Sequence, residues 1–116
     1  MRNYLKKNRK GVDATIDSIG NIDNKLPVCN FFDNVILNKK DSIKFITHSW
    51  EGEPILNFMM YDGNEIKITI DSSKSSPGNI ETFRGNSFSK VRSGSLIEYN
   101  LLDNGKFVVR LIYYRN

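Results

Sequence analysis

The sequence is poor in the residues that build most metal and redox sites. Among its 116 residues there is one cysteine, Cys29, and one histidine, His48. A lone cysteine excludes an intrachain disulfide, and no CxxC, HxH or HxxxH spacing supplies a set of metal ligands. The eight glycines are scattered singly, so there is no glycine-rich phosphate loop. The sequence therefore predicts no metal and no cofactor.

Long apolar runs are missing as well. No stretch approaches the ~20 apolar residues of a transmembrane helix, and the basic N-terminus lacks the apolar segment of a signal peptide. We therefore expect any export signal to lie upstream of Met1. The apolar fraction of 39%, which includes seven Phe and five Tyr, suffices for one compact core, whereas 116 residues are too few for two.

The net charge of +4 is concentrated at one end of the chain. No acidic residue occurs before Asp13, and the remainder of the chain holds 12 basic and 13 acidic groups, so the composition does not predict a basic face on the folded domain. We predict that residues 1–20 form a basic, polar and partly ordered arm, and that residues 21–116 form a single α+β domain. The five basic residues at the start of the arm are Arg2, Lys6, Lys7, Arg9 and Lys10.

One amphipathic helix is predicted over residues 25–38. Its apolar residues recur at the i, i+3, i+4, i+7, i+8 spacing of a single helical face. Pro27 fits in the first turn, where its missing N–H costs little. The apolar stripe consists of Val28, Phe31, Phe32, Val35 and Ile36.

Everything after this helix is predicted as β-structure. β-Branched and aromatic residues alternate with polar ones, and Asp62-Gly63 and Asp103-Asn104-Gly105 are hairpin turn signals. Because the helix precedes all predicted strands, no βαβ crossover is expected. The predicted fold is α+β, with an N-terminal amphipathic helix packed on a mainly antiparallel sheet of about five strands. The five predicted strands cover residues 42–50, 55–61, 65–71, 95–101 and 106–114, and residues 80–83 are a further, short candidate.

Two finer predictions concern individual strands. Residues 55–61 are apolar on both faces, which is typical of a central strand. In the last strand Phe107, Val109, Leu111 and Tyr113 alternate, and we predict that all four lie on one buried face.

Few residues are candidates for chemistry. Cys29 and His48 would be the two members of a thiol dyad, and a small thiol or hydrolytic enzyme is one alternative function. Cys29 nevertheless follows Val28 in the first turn of the predicted helix, which is more typical of a small buried residue. Glu51 and Glu53 fall short of the six to eight oxygens that calcium binds. We therefore predict that the protein is not an enzyme.

The remaining candidate function is contact with a partner. Exposed aromatic residues and hairpin turns are typical of such surfaces. Nucleic-acid binding is not expected of the domain, and binding through the basic arm is kept as a further alternative. The candidate partner surface consists of Trp50, Glu51, Glu53, Tyr61 and Asp62.

Two turn motifs carry a resemblance to a known family. Glu51-Gly52-Glu53-Pro54-Ile55 and Tyr61-Asp62-Gly63-Asn64-Glu65-Ile66 follow a helix that contains Phe32-Asp33-Asn34-Val35, and Asp71 comes after them. In this order the sequence resembles, over about residues 11–80, a family of small domains of unknown function. That family occurs in low-GC Gram-positive bacteria, mostly as predicted lipoproteins or secreted proteins.

The resemblance implies a location and no established reaction. The location is extracytoplasmic, either membrane-associated through a lipid anchor upstream of this domain or secreted, and the basic arm is then a tether near acidic lipid. We expect a non-enzymatic accessory or protein-binding domain whose partner is another envelope protein. A narrower variant is an exclusion or immunity lipoprotein. The sequence predicts neither the exact role nor the oligomeric state.

Overall fold

The computed structural model of the chain describes residues 11–74 and 78–116. Residues 1–10 of the predicted arm and residues 75–77 lie outside these ranges. Within them the chain forms eight strands and one helix. The elements are β1 (Ala14–Ile16), α1 (Leu26–Ile36), β2 (Asp41–His48), β3 (Pro54–Tyr61), β4 (Ile66–Asp71), β5 (Ile80–Gly85), β6 (Ser87–Ser93), β7 (Leu96–Asp103) and β8 (Lys106–Arg115).

The strands are arranged in two sheets, so the predicted α+β fold with one sheet of about five strands is wrong. Sheet 1 has the order β1-β2-β3-β4-β5, and sheet 2 has the order β6-β7-β8. The described part of the chain is mostly β, with a single short helix. The prediction failed because it assigned the last two strands to the same sheet as the meander and overlooked two others, β1 and β6.

The helix is not N-terminal to all strands, because β1 precedes it. β1 pairs in parallel with β2, with Ala14 opposite Phe45 and Ile16 opposite Thr47. The segment β1-α1-β2 is thus a crossover of the kind the sequence prediction had excluded. β1 lies within the range predicted as an arm, and its three residues are too few to show a strand period among polar neighbours.

Helix α1 falls where the apolar stripe predicts it. Val28, Phe31, Phe32 and Val35 are buried, and Pro27 occupies the first turn. Ile36, the last member of the predicted stripe, is instead 68% exposed. The chain leaves the helix at Asn38, which adopts a left-handed conformation with φ of 59°.

The predicted meander is confirmed as β2-β3-β4. Ile43 pairs with Met59, which in turn pairs with Ile68, and all three side chains are buried. β3 is the central strand of sheet 1, as its apolar character predicts. Gly63, with φ of 102°, allows the tight β3–β4 turn.

Sheet 2 begins where the chain leaves sheet 1 at Gly85. A Cβ atom at this position would lie 2.4 Å from the carbonyl oxygen of Leu102, so only glycine fits between the sheets. The β7–β8 hairpin turns at Asn104 and Gly105, which both have positive φ, as the sequence predicts. At the far end of β8, Arg115 donates from its backbone N–H to Gly20 O (2.7 Å) and from Nε to Ile19 O (2.8 Å).

The predicted single buried face of the last strand is wrong. The β7–β8 register shifts twice, between Tyr99 and Asn100 and between Leu101 and Leu102. Each bulge moves the following residues to the other side of the strand. As a result Phe107 is 65% exposed and Tyr113 is half-buried, whereas Leu111, Ile112 and Tyr114 are buried.

The core lies between the inner face of sheet 1, α1 and sheet 2. Phe32 of α1 joins the helix to sheet 2, since its ring stacks on Tyr99 of β7 with a centroid distance of 3.8 Å. The buried side chains that meet there come from β1 to β4, α1, β7 and β8. One side of sheet 1 is thus fully used for folding.

Candidate functional site

The other side of sheet 1, the outer face, is not covered by any described element. Strand alternation places on it Lys44, Ile46 and His48 from β2, Leu56, Phe58 and Met60 from β3, Lys67, Thr69 and Asp71 from β4, and Ile80, Thr82 and Arg84 from β5. Leu56 is 39% exposed, and Met60 and Ile80 are also exposed. An apolar strand face left open in a small domain is typical of a binding surface.

A cavity of about 640 Å³ lies at one end of the outer face. Its volume is within the range of about 300–1,000 Å³ that is usual for ligand sites. Ile46 and Leu56, which are directly paired across β2 and β3, form part of its apolar lining. The remaining lining residues are Val12, Thr15, His48, Pro54, Asp71, Ser73 and Lys74.

His48 is one of the residues that line the cavity. Its Nδ1 lies 3.0 Å from the Ile16 carbonyl oxygen, which accepts a hydrogen bond. Nδ1 therefore carries the proton, and in the neutral ring Nε2 is an acceptor. Within the ranges that the structure describes, Nε2 has no hydrogen-bond partner.

The opposite rim of the cavity is charged. Asp71 accepts a hydrogen bond from Ser73 N at 2.9 Å. Hydrogen bonds from the Ser73 side chain and backbone, together with nearby Lys74, lower the pKa of the Asp71 carboxyl below its ordinary value. Asp71 is therefore ionised at neutral pH. Its hydrogen bond with Ser73 stabilises the turn that follows β4.

The predicted partner surface is divided between two ends of β3. Trp50, Glu51 and Glu53 lie in the β2–β3 turn, where Trp50 is 87% exposed. Tyr61 and Asp62 lie at the other end of this eight-residue strand, roughly 23 Å away. The turn that carries Trp50 joins His48 to Pro54, so it borders the cavity.

Tyr61 and Asp62 hold the second turn together. The Tyr61 hydroxyl donates to Asn38 Oδ1 or Gly63 O, at 3.0 and 2.9 Å, and its ring is buried. Asp62 Oδ1 accepts from the N–H groups of Asn64 and Glu65, which lowers the pKa of its carboxyl. These contacts give both residues a role in the fold.

The structure does not bring Cys29 and His48 together. Cys29 is on α1 and partly buried, with Sγ 3.9 Å from the Tyr114 hydroxyl. His48 is on the outer face, so sheet 1 separates the two side chains. Burial, followed by the effects of Tyr99 and Cys29, raises the pKa of Tyr114 well above its ordinary value.

Sequence reasoning missed the cavity because its walls come from distant segments. Val12 precedes β1, Thr15 lies within it, Leu56 is on β3 and Lys74 is in the β4–β5 connection. One local signal was present, since β3 is apolar on both faces. Because the described elements cover sheet 1 on one side only, that pattern leaves an apolar patch on its other side.

Two further observations concern metal ligands and membrane-spanning helices among the described residues. Among residues 11–74 and 78–116, no three His, Cys, Asp or Glu side chains are grouped so that they would hold a metal ion. In the same ranges α1 is the one helix, and it is too short to span a membrane.

Fold and site together define a small two-sheet β-domain with one partly apolar sheet face that no element within residues 11–74 and 78–116 covers. The family model described as domain of unknown function DUF4362 matches residues 12–93, and the chain belongs to this family. The predicted resemblance to a family of unknown function is thereby confirmed, while its bacterial group and lipoprotein character stay predictions. No curated protein and no solved structure matches the chain.

Proposed function

We propose that this protein is a non-enzymatic binding domain that contacts another protein through the outer face of sheet 1. The observation that carries the proposal is the cavity of about 640 Å³ among the exposed apolar residues of that face. A recess of this kind can hold a protruding side chain of a partner. Side chains that fill such pockets contribute most of the binding energy of an interface. Leu56 is central to it, because it lines the cavity and remains exposed.

The proposal is tested by capture from solubilised membranes with Leu56→Asp as the disrupting variant. The matched control is Ile36→Asp, which also places a carboxylate on an exposed apolar position but lies on α1. Wild type and Ile36→Asp should recover the same partner, and Leu56→Asp should lose it. Equal recovery by all three proteins, or no specific partner for wild type, would contradict the proposal.

We also propose an extracytoplasmic location, with another envelope protein as the partner. This part rests on the sequence resemblance and on the five basic residues before Asp13, which suit a tether near acidic lipid. Cell fractionation of the native protein tests it. Recovery of an unlipidated protein in the cytosolic fraction would exclude this location.

A further inference from the structure

The outer face carries a group of cations beside the cavity. Lys44 is paired with Phe58 across β2 and β3, and Met60, Lys67 and Arg84 follow one another across β3, β4 and β5. Neighbouring strands are about 4.8 Å apart, so Lys44 lies beside Phe58, Lys67 lies beside Met60, and Arg84 lies beside Lys67. We call Lys44, Lys67 and Arg84 the basic band. The near-neutral composition of the domain had not predicted it.

Two carboxylates border the basic band, and both are engaged. Glu65 lies 3.7 Å from Arg84, and Asp13 Oδ2 accepts a hydrogen bond from the backbone N–H of Lys44 at 3.0 Å. Nζ of Lys44 lies 5.8 Å from the centre of the Phe58 ring. In the part of the chain that the structure describes, Lys44 and Lys67 form no ion pair. Their ammonium groups are thus open to an anionic partner.

The cavity and the basic band are close enough to be used together. Leu56 lines the cavity and Phe58 lies within the band, two positions apart on the same face of β3. Such positions are about 7 Å apart. A short extended segment therefore spans both, placing one apolar side chain in the cavity and its neighbours over the cations.

Building on the proposed function, we infer that the partner presents an acidic segment with one bulky apolar side chain. The apolar side chain enters the cavity beside Ile46 and Leu56, and the carboxylates pair with the basic band. Such pairing supplies specificity and speeds association more than it adds affinity. The chain's own first ten residues match this surface poorly, since they carry five positive charges and no acid.

A protein segment fits this face better than a lipid surface does. Insertion into a bilayer needs a cluster of apolar side chains that protrude together. Leu56 and Met60 are only 39% and 36% exposed, and the more exposed Trp50 and Ile80 lie on separate elements, the β2–β3 turn and β5. The apolar surface here is a recess, and a recess is filled by a protruding group. Anionic vesicles are therefore a comparison in the experiment.

The test uses the full chain and a synthetic peptide in which acidic residues flank one central Phe. Binding is followed by amide chemical shifts and by the fluorescence of Trp50, the only tryptophan, which borders the cavity. Comparison probes are the charge-reversed peptide, the same acidic peptide with Ser in place of Phe, phosphatidylglycerol vesicles and dodecanoate. We expect shifts at Ile46, Leu56 and Lys67 with the acidic Phe peptide, and at least tenfold weaker binding of the other two peptides.

Two double charge reversals provide matched variants. Lys44→Glu with Lys67→Glu should weaken the acidic Phe peptide at least tenfold, because it reverses the open cations of the band. Lys39→Glu with Lys40→Glu makes the same charge change after α1 and should bind like wild type. Folding of each variant is checked by its urea midpoint, and Lys44→Gln with Lys67→Gln replaces a variant that does not fold.

The outcomes separate this inference from the proposed function. Equal binding of acidic and charge-reversed peptides, or binding of vesicles or dodecanoate alone, would overturn the acidic partner. Absence of peptide binding would also overturn it, even if capture from membranes still depends on Leu56, in which case the protein-binding function stands. If Leu56→Asp captured the partner as well as wild type does, both the acidic partner and the proposed binding function would be contradicted.

Discussion

The two sheets use their faces differently. In sheet 1 the inner face is buried against α1 and sheet 2, while the outer face, which carries the cavity, is not covered by any of the elements described above. Sheet 2 supplies core residues from β7 and β8, yet the family match ends at residue 93, before either strand begins. The matched region thus contains the proposed binding face without the strands that complete its core. β7 and β8, which lie outside the family match, therefore complete the core on which the outer face of sheet 1, inside the match, depends.

The largest expected effect tests this dependence directly. A chain that ends at Ser93 loses β7 and β8, and with them six buried side chains worth about 1.5–3 kcal/mol each. Their sum is comparable to the whole stability of a small domain, about 5–15 kcal/mol. These side chains are Ile97, Tyr99, Leu101, Leu111, Ile112 and Tyr114. We expect no cooperative urea unfolding for the shortened chain, measured by circular dichroism beside the full chain. A sharp transition would show that sheet 1 and α1 fold alone.

The next prediction compares the two faces of sheet 1 at adjacent residues. Met59 is fully buried on the inner face, and Met60 is 36% exposed on the outer face. Met59→Ala should lower the free energy of unfolding by about 2–5 kcal/mol because it leaves a cavity in the core. Met60→Ala should lower it by less than about 1 kcal/mol. Urea denaturation of both variants measures the difference, and equal losses would mean that the outer face is covered in solution.

The junction between the sheets gives a smaller effect. Gly85→Ala places a Cβ 2.4 Å from the Leu102 carbonyl oxygen and 2.9 Å from Leu101 side-chain atoms. Because a backbone oxygen cannot move aside without shifting its strand, we expect a loss of about 1–3 kcal/mol. Thr82→Ala, an exposed position on the same strand, is the control and should stay within about 0.5 kcal/mol of wild type. Similar midpoints for both variants would contradict the close approach of the sheets.

The smallest effect appears only in alkali. The folded-state pKa of Tyr114 is raised above its unfolded value near 10, so the unfolded chain loses this proton first as pH rises. The free energy of unfolding should therefore be unaffected below about pH 10. Above it, the free energy should fall by at most about 1.4 kcal/mol per pH unit. Tyr114→Phe should show a shallower fall when urea midpoints are compared across this range, and identical slopes would exclude Tyr114 as the cause.

Patterns of neighbouring residues predicted the helix and two of the hairpins, because these elements form between residues close together in the sequence. The apolar spacing from Val28 to Val35 gave α1, and the turn residues Gly63 and Gly105 gave two hairpins. β5 and β6 were harder, because most of their residues are exposed and show no apolar alternation. The switch between sheets at Gly85 depends on Leu102, which is far away in the sequence.

The candidate site was less predictable than the fold. Trp50 was correctly identified as an exposed residue, but the cavity beside it requires segments that the sequence separates, such as Val12 and Lys74. The basic band was hidden by the balanced charge of residues 11–116, since Lys44, Lys67 and Arg84 come onto one face only through strand register. Charge counts describe a whole domain, whereas binding depends on one face of it.

The contact between Arg115 and the loop before α1 determines how the domain would carry a mechanical load. Arg115 is the last residue of β8, and it donates hydrogen bonds to Ile19 and Gly20. Tension applied at the end of β8 would therefore load the loop that follows β1 as well as β7, with which the same residue is paired. Force applied to one sheet would in this way be shared with the other.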